Sequence, residues 1–173
     1  MRHAFHAGLK TLAALSLLLL IPGLPASEWE PAKPGYRIEL PRDHGQHPET
    51  KIEWWYFTGN LTEAEGDRRF GCQLTFFRIG VQRAPRIESA WALRDVWMAH
   101  LAVTDESGRR YLHADRLNRA GPGLAGAANG ELRVWNEDWS AVEQDGHIRL
   151  LAADGEVGLE LSLDRDELGL VVH

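Results

Sequence analysis

The chain has 173 residues, with 25 acidic and 19 basic side chains and a formal net charge of −6 at pH 7. Removal of the leader predicted below would leave 17 basic residues and a net charge near −8, which argues against nucleic acid or an anionic membrane surface as the main partner. The 147 residues after that leader (173 less 26) suit one domain with a full core. The single cysteine, Cys72, excludes an intrachain disulfide, and we expect it to be buried.

Residues 1–26 are predicted to be a secretory signal peptide. Arg2 and Lys10 give a positive start, residues 11–21 are almost continuously apolar, and Ala26 offers a small residue for cleavage. The apolar segment is shorter than the roughly 20 residues that a membrane-spanning helix needs, so an uncleaved anchor is the less favoured interpretation. The sequence therefore predicts a periplasmic or secreted protein with no membrane span after cleavage.

Residues 27–50 are predicted to form an extended arm, because the prolines in this segment rule out a long helix. From residue 51 onward, strand-like runs alternate with turn residues, and no segment has a sustained helical period. This pattern predicts an all-β, antiparallel barrel or sandwich of about eight strands over 51–173, with residues 120–130 as a flexible connection. The predicted strands are 52–60, 70–80, 94–104, 110–116, 131–135, 139–143, 147–153 and 157–163.

Residues 168–173 are apolar and look like the opening of another strand. Natural sheets avoid leaving such a strand unpaired. Two interpretations stay open: the chain is cut before a further segment, which we favour, or residues 168–173 close the barrel as its last short strand.

The first predicted hairpin has aromatic residues on both faces. A turn at Glu65–Gly66 would pair residue i with residue 131 − i and so place Glu53 opposite Arg78 as a structural ion pair. Trp55 and Phe57 then share a packing face, and ordinary core packing remains an alternative for every ring. The other face mixes rings with hydroxyl and amide groups, which is typical of a ligand cavity, so we predict that it lines the lumen and binds ligand. Its members are Trp54, Tyr56, Gln73, Thr75 and Phe77.

Asp43, Glu53 and His100 are the candidates for acid–base catalysis. Asp43 lies in a loop that would cover one mouth of the barrel, and His100 lies in an apolar strand, where a buried structural histidine is the more ordinary interpretation. His44 and His47 could contribute to a metal site in the same loop as Asp43. A metal normally needs three or four ligands, and no further ligand pattern accompanies the two histidines, so neither a metal nor a cofactor is predicted.

Several motifs together resemble one known family. They are similar to motifs of the AttH-like and hydroxyneurosporene synthase (carotenoid 1,2-hydratase) family. The motifs are residues 41–48 (PRDHGQHP), 53–61 (EWWYFTGNL), 76–78, 99–100 and 138–139. The likeness runs from the first of these motifs to the end of the chain. It implies a lipocalin-like β-barrel, corresponding to the first of two such domains in the family.

The resemblance also implies a hydrophobic, isoprenoid or lipid-like ligand and a cofactor-independent hydratase or hydrolase. In a hydratase, an acid would protonate a C=C bond, aromatic faces would stabilise the carbocation, and water would add. The alternatives are a non-catalytic periplasmic carrier and a structural half-domain that is inactive without a C-terminal domain. That domain and a membrane transport system are the further partners implied.

Overall fold

The structure is a computed structural model and describes residues 29–85 and 87–164. The predicted signal peptide and the strand-like segment 168–173 lie outside the described residues. The described chain is all-β apart from one short 3-10 helix at Arg42–His44. Its strands are β1 (Ile52–Thr62), β2 (Arg69–Gly80), β3 (Asp95–Asp105), β4 (Arg110–Arg119), β5 (Ala125–Ala127), β6 (Arg133–Asn136), β7 (Trp139–Gln144), β8 (His147–Asp154) and β9 (Val157–Asp164).

Strands β1 to β4 form the first sheet, an antiparallel meander in chain order. The register predicted for the first hairpin is confirmed: Glu53 pairs with Arg78, and Trp54 pairs with Phe77. The turn at residues 63–68 fixes this register, since a shift by one residue would exchange the buried and exposed faces of both strands.

Strands β5 to β9 form the second antiparallel sheet, again in chain order. The short strand β5, with the sequence Ala125-Gly126-Ala127, lies in the segment that the sequence predicted to be a flexible connection. That expectation was wrong because all three residues are buried and pair with β6, although they carry none of the branched or aromatic side chains that mark a strand.

The two sheets enclose one hydrophobic core. The first sheet contributes Trp55, Leu74, Phe76 and Trp97, and alternate residues of the second sheet complete the cluster, including Val134, Trp139, Ala141, Leu150 and Leu159. The architecture is an all-β fold of two antiparallel sheets, consistent with a lipocalin-like β-barrel. No helix of the described residues is long and apolar enough to span a membrane.

Cys72 lies on the inner face of β2 and is buried, as predicted. Burial raises the pKa of the Cys72 thiol, because a thiolate would lose its hydration there. The Sγ atom also lies 3.5 Å from the carbonyl oxygen of Gly59 and donates to it. The thiol is therefore held in its neutral form inside the core.

Arg116 connects the two sheets. Its guanidinium lies 4.5 Å from the ring centroid of Trp139, pairs with Asp138, and donates to the backbone oxygen of Asn136 at 3.3 Å. Pairing with Arg116 lowers the pKa of Asp138. This contact places the Asp138–Trp139 motif at the junction of the sheets, where it stabilises their packing.

Candidate functional site

The outer face of the first sheet carries a continuous row of apolar side chains. Strand register brings Trp54, Phe77, Met98 and Leu117 side by side across β1 to β4. The Trp54 and Phe77 ring centroids lie 5.8 Å apart with an interplanar angle of 54°. Edge-tilted rings at this separation attract one another through their quadrupoles.

A second row with polar character lies beside the first. It runs through Tyr56, Thr75, His100 and Asp115 in the same cross-strand register. The His100 ring lies 5.1 Å from the Phe77 ring centroid, so the two rows are in contact. His100 is exposed, and the structure brings it together with the aromatic residues that the sequence assigned to ligand binding.

The structure differs from the sequence prediction in where this mixed face points. Trp54 is 67% exposed and Tyr56 is 54% exposed, so the face that was expected to line a lumen lies on the outside of the sheet. The inner layer is occupied by packed side chains such as Trp55, Phe76 and Trp97. Of the polar residues predicted to line the cavity, Tyr56 is exposed on this outer surface, whereas Thr75 is buried within it.

The remaining predicted ligand residues also lie on this outer face. Gln73 is half-buried and its Nε2 donates to Thr75 Oγ1 at 3.3 Å. Thr75 is buried beneath its neighbours. Together with Trp54, Tyr56 and Phe77 they form one surface, which we call the aromatic face and define by these five residues and His100.

Glu53 points to the opposite side of β1 from the aromatic face. Arg78 Nε donates to Glu53 Oε2 at 2.7 Å, and Arg78 Nη1 donates to Asp95 Oδ1 at 2.9 Å. The other oxygen of Glu53 accepts from the backbone N–H of His47 at 2.5 Å and lies 2.8 Å from His47 Nδ1. Both oxygens of Glu53 are thus engaged, and the arrangement matches its predicted structural pairing with Arg78.

Asp43 lies in the arm and is bound by several donors. Arg42 Nε donates to it at 2.7 Å, the Glu39 backbone N–H at 2.8 Å and the Tyr36 hydroxyl at 2.9 Å. The Arg42 guanidinium, followed by the Glu39 N–H, holds the pKa of Asp43 well below its usual range. At neutral pH Asp43 is therefore a carboxylate that accepts hydrogen bonds, rather than a proton donor.

His47 connects Asp43 with Glu53, although the sequence analysis did not select it as a site residue. Its Nδ1 faces Glu53, its Nε2 lies 3.5 Å from Asp43 Oδ1, and its side chain is 37% exposed. The sequence does contain a signal for this contact, because His47 lies four residues after Asp43 and six residues before Glu53. Within the described residues no cluster of three or more ligating side chains could hold a metal ion.

The loop that contains His44 and His47 is docked on both sheets. Trp55 Nε1 donates to the His44 carbonyl at 2.9 Å, and His44 Nδ1 lies 3.2 Å from Glu143 Oε2 on β7. A Cβ atom at Gly45 would overlap the backbone nitrogen of Gly130, so only glycine allows this approach. The predicted catalytic residues are therefore divided: Asp43 and Glu53 belong to this docked loop, and His100 belongs to the aromatic face.

Comparison with known proteins identifies a family and a solved structure that is similar to this chain. The AttH-like family profile matches residues 31–172. A crystal structure of a candidate AttH protein from Nitrosomonas europaea is 34% identical in sequence, with a TM-score of 0.62. The match covers 76% of this chain and 39% of that protein, so the matched part spans well under half the length of this relative. A search of proteins with curated functions found no match.

Proposed function

We propose that this chain, which belongs to the AttH-like family, binds an isoprenoid or lipid-like ligand on the aromatic face. The observation that carries this proposal is the contact series Trp54–Phe77–His100, with ring-centroid separations of 5.8 and 5.1 Å on an exposed sheet. Exposed contiguous apolar surface of this kind is unusual on a soluble domain unless something binds it.

The chemistry of the face suits a flat or extended apolar molecule. Trp54 and Tyr56 offer large ring surfaces that are more than half exposed. Each 100 Å² of apolar surface removed from water would contribute about 2.5 kcal/mol. The Tyr56 hydroxyl and the His100 imidazole lie at the same level of the sheet and would contact a polar end group, such as an alcohol or a carboxylate.

For catalysis we propose that His100 is the acid–base group of a hydratase or hydrolase. In a hydration, the His100 imidazolium would give its proton to one carbon of a C=C bond. Trp54 and Phe77 would stabilise the resulting carbocation by about 0.5–2 kcal/mol each. Water would then bond to the cationic carbon and release a proton to the neutral His100, which restores the catalyst and yields an alcohol.

A non-catalytic carrier is the second candidate, and the ion network favours it. Of the three predicted acid–base groups, Asp43 and Glu53 are held by Arg42 and Arg78 on the other side of β1, and His100 alone lies on the aromatic face. A carrier needs the ring surface and no proton transfer.

For both candidate functions we propose that the protein acts in the periplasm or outside the cell. Cell fractionation and N-terminal sequencing of the mature protein would test this location.

The experiment is a fluorescence titration with farnesol, followed by assays of turnover. Trp54→Ala should weaken farnesol binding at least tenfold, because it removes the largest ring of the face. Trp91→Ala is the matched control, since Trp91 is 59% exposed on a loop outside the face. Equal affinity in the wild type and Trp54→Ala would refute the binding proposal.

The turnover assays test catalysis. His100→Gln should abolish alkene hydration or ester hydrolysis and keep farnesol binding. Absence of turnover in the wild type would favour the carrier over the enzyme.

A further inference from the structure

A groove of about 330 Å³ lies beside the strand pair β3–β4 and is lined in part by the segments that precede β3 and β5. Four of its six lining residues are aliphatic, namely Leu93, Val96, Leu117 and Leu124. Val96 is half-buried, and the three leucines are exposed. The volume lies at the lower end of the range for small-molecule sites, so the groove suits one apolar chain rather than a bilayer or a protein surface.

The wall of the groove that carries Leu124 is held in place by its backbone. The Leu124 carbonyl accepts from the Glu137 N–H at 2.7 Å, which ties this segment to the turn after β6. A Cβ atom at Gly121 would overlap the carbonyl oxygen of Ala90, so the segments that precede β5 and β3 are in direct backbone contact. Because the folded chain forms the groove before a ligand arrives, little ordering cost is added to binding.

Arg119 is the one charged residue that lines the groove. It lies directly opposite Val96 in the register of β3 and β4, and two residues after Leu117 on the same strand, so the three side chains share the outer face of the sheet. The Arg119 guanidinium has no ion pair or hydrogen bond within the part of the chain that the structure describes. An unpaired guanidinium beside four aliphatic side chains is complementary to an apolar molecule with an anionic end.

The remaining lining residue, Asn118, is already engaged by the second sheet. Its Nδ2 donates to Asn136 Oδ1 at 2.8 Å and to Glu137 Oε1 at 3.0 Å, which uses both amide hydrogens. Glu137 also forms an ion pair with Arg116 at 3.3 Å. The charge of this nearby carboxylate is therefore balanced without Arg119, which stays available to an external anion.

We propose that the groove binds the hydrocarbon chain of a single-chain carboxylic acid and that Arg119 binds its carboxylate. The aliphatic side chains supply the apolar contact, and a guanidinium can hold a carboxylate through two parallel N–H···O bonds. One guanidinium matches the single charge of a carboxylate, whereas a phosphate monoester carries about −1.5 to −2 charges at pH 7. This site does not rest on the proposed function, because none of its lining residues belongs to the aromatic face.

The test is a calorimetric titration of the full chain at neutral pH with sodium decanoate and with 1-decanol, which has the same chain length and no charge. The wild type should bind decanoate at least tenfold more tightly than decanol. Arg119→Gln should lower the affinity for decanoate at least tenfold and leave that for decanol unchanged. Arg109→Gln is the matched control and should bind decanoate as the wild type does. Arg109 is exposed in the turn between β3 and β4, and its side chain likewise has no partner among the described residues.

Leu124→Ser tests the position of the chain and should lower the affinity for decanoate at least fivefold. Wild-type protein that does not bind decanoate, or that binds decanoate and decanol equally, overturns the proposal, as does an equal effect of Arg119→Gln and Arg109→Gln. Trp54→Ala should lose farnesol binding and keep decanoate binding, whereas Arg119→Gln should do the reverse. Loss of both ligands in Trp54→Ala would overturn the separate groove site, and unchanged farnesol binding in that variant would refute the proposed function alone.

Discussion

Glu53 and Arg78 lie directly opposite each other on β1 and β2, and Arg78 Nε donates to Glu53 Oε2 at 2.7 Å. Arg78 is 2% exposed and also binds Asp95 and the backbone carbonyls of His47 and Thr50. One buried guanidinium thus joins β1, β3 and the arm. Such a group is tolerated in the interior because each of its three nitrogens donates to an acceptor.

Arg78→Met is expected to destabilise the fold by about 3–5 kcal/mol, because Glu53 and Asp95 would be left without their countercharge. Urea unfolding followed by circular dichroism measures the change. Arg68→Ala is the matched control, since Arg68 pairs with Asp105 at 2.9 Å on the exposed rim and should cost less than about 1 kcal/mol. Equal losses in the two variants would show that Arg78 is not the centre of the network.

Truncation of two adjacent tryptophans should change the free energy of unfolding by very different amounts. Trp55 is 8% exposed and stacks on Trp97 with centroids 5.8 Å apart, so Trp55→Ala should cost about 3–5 kcal/mol. Trp54 lies on the outer face, and Trp54→Ala should change the unfolding free energy by less than about 1 kcal/mol. Thermal and urea unfolding measure both. A larger loss for Trp54 than for Trp55 would mean that the faces are exchanged.

Gly45→Ala should release the arm from the second sheet. The Gly45 backbone has φ −77° and ψ 179°, which alanine adopts freely, so the cost comes from the close approach to the backbone of residues 128–130. We expect a loss of about 1–3 kcal/mol and faster amide exchange over residues 43–48. Gly59→Ala is the control: its Cβ would meet Cys72 Sγ at an ordinary 3.8 Å, and stability should hold or rise. Unchanged exchange in Gly45→Ala would contradict the docking described for the loop.

The register of the first hairpin was predicted correctly from local features of the sequence. The turn residues and the alternation of side chains predicted the pairing of Glu53 with Arg78 and the division of the rings into two sets. They also led to the prediction that the mixed set faces a lumen, which was wrong because that set lies on the outside of the sheet. Both faces are aromatic, so the local pattern does not determine which set faces the core. That choice depends on the second sheet, whose Val134, Trp139 and Leu150 pack against the Trp55 side.

Long-range contacts explain what the sequence did not predict. Strand β5 is fixed by pairing with β6 and by burial, with no propensity signal in Ala125-Gly126-Ala127. The position of His47 depends on Arg78, 31 residues further along the chain, whose Nη2 donates to the His47 carbonyl at 2.8 Å. Contacts between residues that are distant in the chain leave little trace in local composition.

Acid should weaken the arm through Asp43. Its pKa is lowered in the folded protein, first by Arg42, so the unfolded chain takes up the proton at higher pH than the folded chain does. The stabilisation is therefore complete above the unfolded value of about 3.9 and is lost as the pH falls below it. Asp43→Asn should be less stable than the wild type at neutral pH and should flatten the dependence of unfolding free energy on pH in the acid range.

Some dependence on pH should remain in that variant, because the pKa values of Asp105 and Asp138 are also lowered in the folded protein. Tyr36→Phe removes one donor to Asp43 but keeps Arg42, and should give an intermediate curve. Parallel curves for the wild type and Asp43→Asn would show that the Arg42–Asp43 pairing contributes nothing to the acid sensitivity of the fold.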